Sequence, residues 1–154
     1  MQTAKEIMSS PPVSIHEDKT LQDTIELLAK HRFSGVPVVD SEEKLVGIIS
    51  DADILRYSQK INVVPKTNLS GWISPYADVS ELASMQKGIE TLHQTRVSEV
   101  MTRKVYTVNE EAEATDIARL MNRRNINRVP VVNSEKKRIG IVTRADMVQC
   151  MSKL

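Results

Sequence analysis

Gly140-Ile141-Val142-Thr143-Arg144-Ala145-Asp146 is an apolar run that ends on a hydroxyl residue, with a carboxylate three residues later. The pattern predicts a buried strand passing directly into a helix. Thr143 has the chemistry of an N-cap, and Asp146, at the third helical position, can complete a capping box. Free backbone N–H groups and the positive end of the helix dipole converge at such a junction, which favours phosphate there. Gly47-Ile48-Ile49-Ser50-Asp51-Ala52-Asp53 carries the same pattern 93 residues earlier.

That offset extends well beyond the seven residues. Val36-Pro37-Val38-Val39-Asp40 maps onto Val129-Pro130-Val131-Val132-Asn133, and Glu6-Ile7-Met8 onto Glu99-Val100-Met101. Asp23 maps onto Asp116 and Leu27 onto Leu120, with no gap between about residues 5 and 57 and their partners. The chain contains an internal duplication. Two copies are too few for a solenoid, so they are expected to form a pseudo-symmetric pair sharing one core.

The chain has 154 residues, 40% apolar and 27% charged, which suits one compact soluble domain or two small subdomains. Each copy alone is near the lower limit for a self-sufficient core, so the copies should pack together. No apolar run approaches membrane-spanning length, and the N-terminus lacks a signal-peptide pattern. Cys150 is the only cysteine, so no disulfide framework exists, which suits a reducing cytoplasm. The net charge of +1 hides an asymmetry: residues 1–57 sum to −4 and residues 94–154 to +5. The second copy is therefore the better home for an anion, unless two solvated faces have merely drifted apart in charge.

Taken in order, Thr3 to Glu6 can open a short helix through Met8, which Pro11 and Pro12 end. Val13-Ser14-Ile15 reads as a short strand. Thr20 can cap a helix with Leu21, Ile25, Leu27 and Leu28 inward. Val36–Val39 and Leu45–Ile49 form a hairpin around a polar turn, and Pro37 suggests an edge position or a strand start. Asp51 to Tyr57 is a helix. The second copy repeats this: a lead-in helix Val97–Met101, a strand Val105–Val108, a helix from Ala114 to Arg124, the hairpin Val129–Val132 and Arg138–Val142, and a helix Arg144–Met151. Each unit is β-α-β-β-α, an α/β (α+β) arrangement with helices on one sheet face; the other copy is the obvious cover for the bare face. The domains are thus 1–57, an insertion 58–93 without counterpart, and 94–154. Within the insertion Pro65, Asn68, Gly71 and Pro75 mark loops, Asp78 and Glu81 can form a capping box, and Leu82, Met85, Ile89 and Leu92 have helical spacing, weakened by Gly88. Trp72 reads as an anchor pinning the insertion to the body.

These residues resemble the cystathionine β-synthase (CBS) domain, whose tandem pair is called a Bateman module. The resemblance rests on the Ile7-Met8 and Val100-Met101 helices, the two Val-Pro-Val-Val hairpins and the two Gly-x-x-Ser/Thr-x-x-Asp turns, and covers nearly all of the chain except 58–93. It implies two units packed sheet to sheet about a pseudo-twofold axis, with two clefts between them that in this family often bind AMP, ADP, ATP or S-adenosylmethionine. By position, it implies that Asp53 and Asp146 hold ribose and that Ser50 and Thr143 meet phosphate. Strand residues around Ser14 and Ile15, around Tyr106, Thr107 and Val108, and at Val36-Pro37 and Val129-Pro130 would line the base pockets. Such modules commonly dimerise through their helices.

The chemistry of the turns agrees: an adenosine ligand needs an apolar slot, an acceptor for the vicinal diol and donors for phosphate, and Ser/Thr-x-x-Asp supplies the last two in one helical turn. The alternative is that both turns are capping boxes and nothing more. The two sites should be unequal. Arg144 follows Thr143, whereas Asp51 follows Ser50; a guanidinium pairs with phosphate and a carboxylate repels it. Lys104 and Arg128 replace Pro11 and Gly35, adding charge to the second copy. The expectation is that Thr143/Asp146 is the better phosphate site and that Ser50/Asp53 is empty or takes a less anionic ligand.

Other chemistries find little support. His16, His31 and His93 share no face and make no metal set with one cysteine. No Gly-x-Ser-x-Gly, Walker A or dinucleotide fingerprint occurs. Basic pairs such as Arg123-Arg124 lack aromatic company, which ranks nucleic-acid binding a distant third. No nucleophile–base pair can be named, so an enzyme ranks last. The reading is a cytoplasmic, non-enzymatic sensor with no cofactor: an adenine nucleotide is its regulatory ligand, it forms a homodimer, and an unidentified effector protein reads its state. The competing reading is a structural or interaction module with degenerate pockets.

Overall fold

The computed structural model describes residues 2–10, 13–61, 63 and 79–154. The first copy comprises α1 (Ala4–Ile7), β1 (Ile15–His16), α2 (Leu21–His31), β2 (Gly35–Val39), β3 (Leu45–Ser50) and α3 (Asp51–Lys60). After α4 (Val79–Gln94) the second copy repeats this as α5 (Val97–Val100), β4 (Val108–Asn109), α6 (Ala114–Arg124), β5 (Arg128–Val132), β6 (Arg138–Thr143) and α7 (Arg144–Met151). Each copy has a three-stranded mixed sheet, in the orders β1-β2-β3 and β4-β5-β6. Trp72, the Asp78–Glu81 capping box and the loop residues Pro65, Asn68, Gly71 and Pro75 lie outside the described residues.

The helix starts follow from local chemistry. Thr20 and Asp23 cap α2 reciprocally, as do Ser50 and Asp53 for α3 and Thr143 and Asp146 for α7. Arg32 and Asn125 end α2 and α6 in the left-handed conformation, at φ 55° and 52°. The strands alternate faces, so Val36, Val38 and Ile49 point to the helices while Ile48 points to the other copy.

Three expectations need correction. Pro37 lies in a central strand, not at an edge. It is tolerated because Ile48, its partner on β3, directs its N–H and C=O away from β2, to Thr102. The Pro37–Ile48 pair therefore needs no ladder bond, and the missing donor faces β1, whose two residues pair only with Val38 and Val39. The first strands are shorter than expected, two residues each. Finally, the copies do not share one core; there are two. One gathers Leu21, Leu28, Val36, Val38 and Ile49 with Val97 and Met101, and the other gathers Ile117, Met121, Val129, Val131 and Val142 with Ala4.

Those last members show an exchange that the residue order conceals. The lead-in helix of each copy packs on the other. Ala4 donates to the Ala112 carbonyl and Ala114 to that of Gln2, at 2.8 and 2.9 Å. Their counterparts 93 residues away do the same: Val97 donates to Lys19 and Leu21 to Thr95, both at 2.8 Å. The segments after these helices add to the opposite sheets through Ser9–Ile141 and Ile48–Thr102 pairs. Lys44 pairs with its own equivalent, Lys137, which puts that end of β3 and β6 at the pseudo-twofold axis, and Glu43 reaches across to Arg138 at 2.9 Å.

Gly88 sits inside α4 because a side chain there would not fit. A Cβ at this position would come within 2.5 Å of the Ile61 carbonyl oxygen. The cost of glycine in a helix is offset by close approach to the end of α3.

Candidate functional site

Both Ser/Thr-x-x-Asp turns form as strand ends that become helix starts. At the first, the Ser50 N–H and hydroxyl donate to Asp53 Oδ2 at 3.0 and 3.1 Å, and the Asp53 N–H returns to Ser50 Oγ at 3.3 Å. At the second, the Thr143 N–H donates to Asp146 Oδ2 at 2.8 Å and the Asp146 N–H to Thr143 Oγ1 at 3.2 Å. Each capping box thus consumes one carboxylate oxygen.

The other oxygen distinguishes them. Asp53 Oδ1 accepts from Thr102 Oγ1 at 3.2 Å and from Arg56 Nη1 at 3.3 Å, and Asp53 is 7% exposed. Asp146 is half-buried, and among the described residues its Oδ1 has no hydrogen-bond donor. An ionised carboxylate can accept about four hydrogen bonds. A diol at Asp53 would compete with existing partners, and one at Asp146 would not.

A cleft of about 170 Å³ opens beside Ser50 and Asp53. The first copy lines it with Ile48, Ser50 and Asp53, and the second with Lys104, Val105, Tyr106, Ile126, Asn127 and Arg128. Lys104 therefore lies at the first copy's turn, and Arg128, although it pairs in the sheet with Thr143, turns its guanidinium to the same place, away from the Thr143/Asp146 turn expected to hold their charge. The reason is the pseudo-twofold packing: the first copy's turn faces the 104–106 segment and the start of β5 in the second copy. Of the three cations counted for the second site, Arg144, exposed at the start of α7, follows Thr143, and Arg128 pairs with Thr143 across the β5–β6 ladder but sends its guanidinium to Ser34.

Arg128 is the most constrained of these cations. Its guanidinium donates to Ser34 Oγ across the copy boundary. Burial pulls it below its ordinary basicity, and the carboxylates of Asp51 and Asp53 act in the opposite direction. Gly35 makes the space: a Cβ there would lie 2.9 Å from Arg128 Nη1 and 3.0 Å from the Ile49 carbonyl. Tyr106 is flanked by cations, with Arg124 4.8 Å and Lys104 5.7 Å from its ring centroid.

Several other expected lining residues lie elsewhere. Ile15, Val36 and Val129 are 6%, 1% and 0% exposed and belong to the helix-side cores, because they occupy the strand positions that alternate away from the clefts. Val108 packs against the second core, while Thr107 is exposed and Ser14 half-buried. Pro37 and Pro130 are buried on the opposite strand face from Val36 and Val129. Residue-by-residue reading missed Thr102, Ile126, Asn127 and Ser34. Their signal was available only in the exchange of segments between copies, since Arg128 and Ser34 are 94 residues apart.

A family model described as "CBS domain" matches residues 4–60 and 97–153. An uncharacterized protein of Methanocaldococcus jannaschii, MJ1426, is 36% identical over 151 residues, covering 96% of this chain and 89% of that protein. Six further curated relatives are longer chains, of which this one spans 22 to 60%. Among solved structures, CBSX2 of Arabidopsis thaliana in complex with AMP superposes with a TM-score of 0.73 at 25% identity, over 99% of this chain and 98% of that one. The CBS domain pair of MJ0100 in complex with 5′-methylthioadenosine and S-adenosyl-L-methionine gives 0.70 at 26% identity, over the same shares.

Proposed function

The chain belongs to the CBS domain family, of which it carries two tandem copies, and on that premise we propose that it is a non-catalytic regulatory module for adenosine-containing ligands. The observation that carries this reading is the meeting, in one cleft, of Ser50 and Asp53 with Lys104, Tyr106 and Arg128. A hydroxyl and carboxylate at the start of an α-helix suit ribose and phosphate; two cations and a tyrosine from the other copy suit a phosphorylated nucleoside. The solved relatives that hold AMP or S-adenosylmethionine support the same class.

Lys104 and Arg128 make this cleft the phosphate site of the reading, in place of Thr143/Asp146. AMP, ADP and ATP suit it better than the sulfonium of S-adenosylmethionine, which the two cations repel. Asp146, with an oxygen open to a diol and fewer cations at hand, suits an adenosine with less negative charge. Within this reading the protein is a cytoplasmic homodimer, and an effector protein responds to its ligand-dependent packing.

Degenerate pockets are the second reading, favoured by one observation. At about 170 Å³ the cleft is smaller than the roughly 300–1,000 Å³ of ordinary small-molecule sites. A ligand must displace Arg128 or part the copies. Calorimetric titration of the purified protein with AMP, ATP, S-adenosylmethionine and 5′-methylthioadenosine decides between the two, followed by Asp53→Ala and Asp146→Ala. Saturable binding of AMP that Asp53→Ala abolishes supports the first reading. No binding by any of the four, with no rise in melting temperature, establishes the second.

A further inference from the structure

One segment of the second copy serves both turns. Ile126, Asn127 and Arg128 line the cleft beside Ser50 and Asp53. Their backbone is tied to the other turn: the Arg144 N–H donates to the Asn127 carbonyl at 3.1 Å, and Arg128 pairs with Thr143 in the β5–β6 ladder. The counterparts 93 residues earlier are Phe33, Ser34 and Gly35. They are tied to the first turn in the same way, through the Asp51 N–H on the Ser34 carbonyl at 2.8 Å and the pairing of Gly35 with Ser50. The Ile48–Thr102 pair is likewise matched by Ile141–Ser9.

Positions 35 and 128 face each other across the pseudo-twofold axis, and only one of them has a side chain. A Cβ on Gly35 would fall 2.9 Å from Arg128 Nη1 and 3.0 Å from its Cζ, so the guanidinium occupies the space over the glycine. Its other nitrogen, Nη2, donates to Ser34 Oγ. Arg128 thus starts beside Thr143, lines the first cleft and ends on Ser34 and Gly35. Gly35 sends nothing back. The operation that aims Ile126–Arg128 at Ser50 and Asp53 aims residues 33–35 at Thr143 and Asp146.

We propose that Arg128 couples the two clefts: a phosphorylated nucleoside in the first draws the guanidinium off Ser34 and Gly35, and so opens the second to an uncharged adenosine. A guanidinium turned to a phosphate beside Ser50 and Lys104 gives up the Ser34 hydroxyl and uncovers the glycine. The second cleft then gains a free hydroxyl and a stretch of backbone that a ligand can approach closely. Asp146 Oδ1, which has no donor among the described residues, is the acceptor for the diol. A second phosphate would find the shared cation already engaged, which is why the second ligand is uncharged. The proposal rests on the nucleotide reading above and adds that the two sites fill in a preferred combination.

Calorimetric titration with adenosine, alone and with AMP held at saturation, tests it. The part of each isotherm that Asp146→Ala removes belongs to the second cleft. AMP is expected to tighten adenosine there by about fivefold or more. Arg128→Ala, whose fold circular dichroism will verify, uncovers Gly35 permanently, so its second cleft should bind adenosine at the tighter affinity with or without AMP. Ser34→Ala, a change at an exposed residue, frees the guanidinium and should shrink the coupling in the same sense. Equal adenosine affinity with and without AMP, no adenosine binding that Asp146→Ala removes, or coupling that survives Arg128→Ala overturns the proposal, while AMP binding in the same experiment upholds the nucleotide reading. Failure of AMP to bind the wild type overturns both.

Discussion

Arg128→Ala is the sharpest test of the cleft. In the structure the guanidinium is half-buried, hydrogen-bonded to Ser34 and set near Asp51 and Asp53. For a nucleotide, it would exchange the Ser34 hydroxyl for a phosphate oxygen. Hydrogen bonds to charged groups contribute about 1.5–3 kcal/mol and neutral ones about 0.5–1.5. The net gain from exchanging Ser34 for phosphate is then about 1–2 kcal/mol, or about 5- to 30-fold in affinity. Arg128→Ala should weaken AMP by that factor in calorimetric titration at fixed ionic strength. Adenosine, which has no phosphate, should bind the variant as well as the wild type or better, because truncation enlarges a cleft of only about 170 Å³. Raising salt should weaken AMP less in the variant than in the wild type. Unchanged AMP affinity, or an equal loss for adenosine and AMP, would refute the assignment of Arg128 to the phosphate.

Asp53→Ala should cost about 1.5–2.5 kcal/mol of stability in urea denaturation, since it removes a cap and the hydrogen bond from Thr102, with little from the exposed Arg56, whereas Asp146→Ala should cost about 1; equal losses would contradict the difference at Oδ1. Gly88→Ala, which in an open helix would stabilise by about 1 kcal/mol, should instead lower the melting temperature, because the added carbon meets the Ile61 carbonyl. Leu21→Ala should cost about 2–5 kcal/mol in the same denaturation assay, as Leu21 is fully buried where α2 meets the first core.

Local features were legible because their causes are local. Thr20, Ser50 and Thr143 cap helices through residues three positions away, and a reader of the chain can see both partners at once. The duplication supplied the second half of the fold from the first. The pairing of clefts was not legible, for a reason the duplication itself imposes. An offset of 93 says which residues are equivalent; it does not say whether Ser50 faces strands of its own copy or of the other. Both answers have the same symmetry. Lys104 and Arg128 were therefore credited to the turn nearest in sequence, and the exchange of α1 and α5 went unseen. The placement of Ile15, Val36 and Val129 failed differently: a strand buried on both faces shows no alternation in hydrophobicity, so its apolar residues do not announce which side they take.

Ligand binding can alter the relation between the copies only through contacts that it makes or breaks unequally in two states. Two such contacts meet at this cleft. Arg128 belongs to the second copy and binds Ser34 of the first; Thr102, from the segment after α5, binds Asp53. A phosphate that recruits Arg128 takes it from Ser34, and a ribose that claims Asp53 Oδ1 competes with Thr102. Each exchange is worth about 1–2 kcal/mol, whereas inverting a 1:99 population requires about 5.5. Neither contact suffices alone. A nucleotide that engages both would supply about 2–4 kcal/mol, a partial shift of about 30-fold or more, and adenosine, which reaches only Asp53, about half of that free energy. Occupancy by adenosine should therefore shift the packing of the copies less than AMP does, a contrast that hydrogen exchange at β3 and at the 102–106 segment would measure directly.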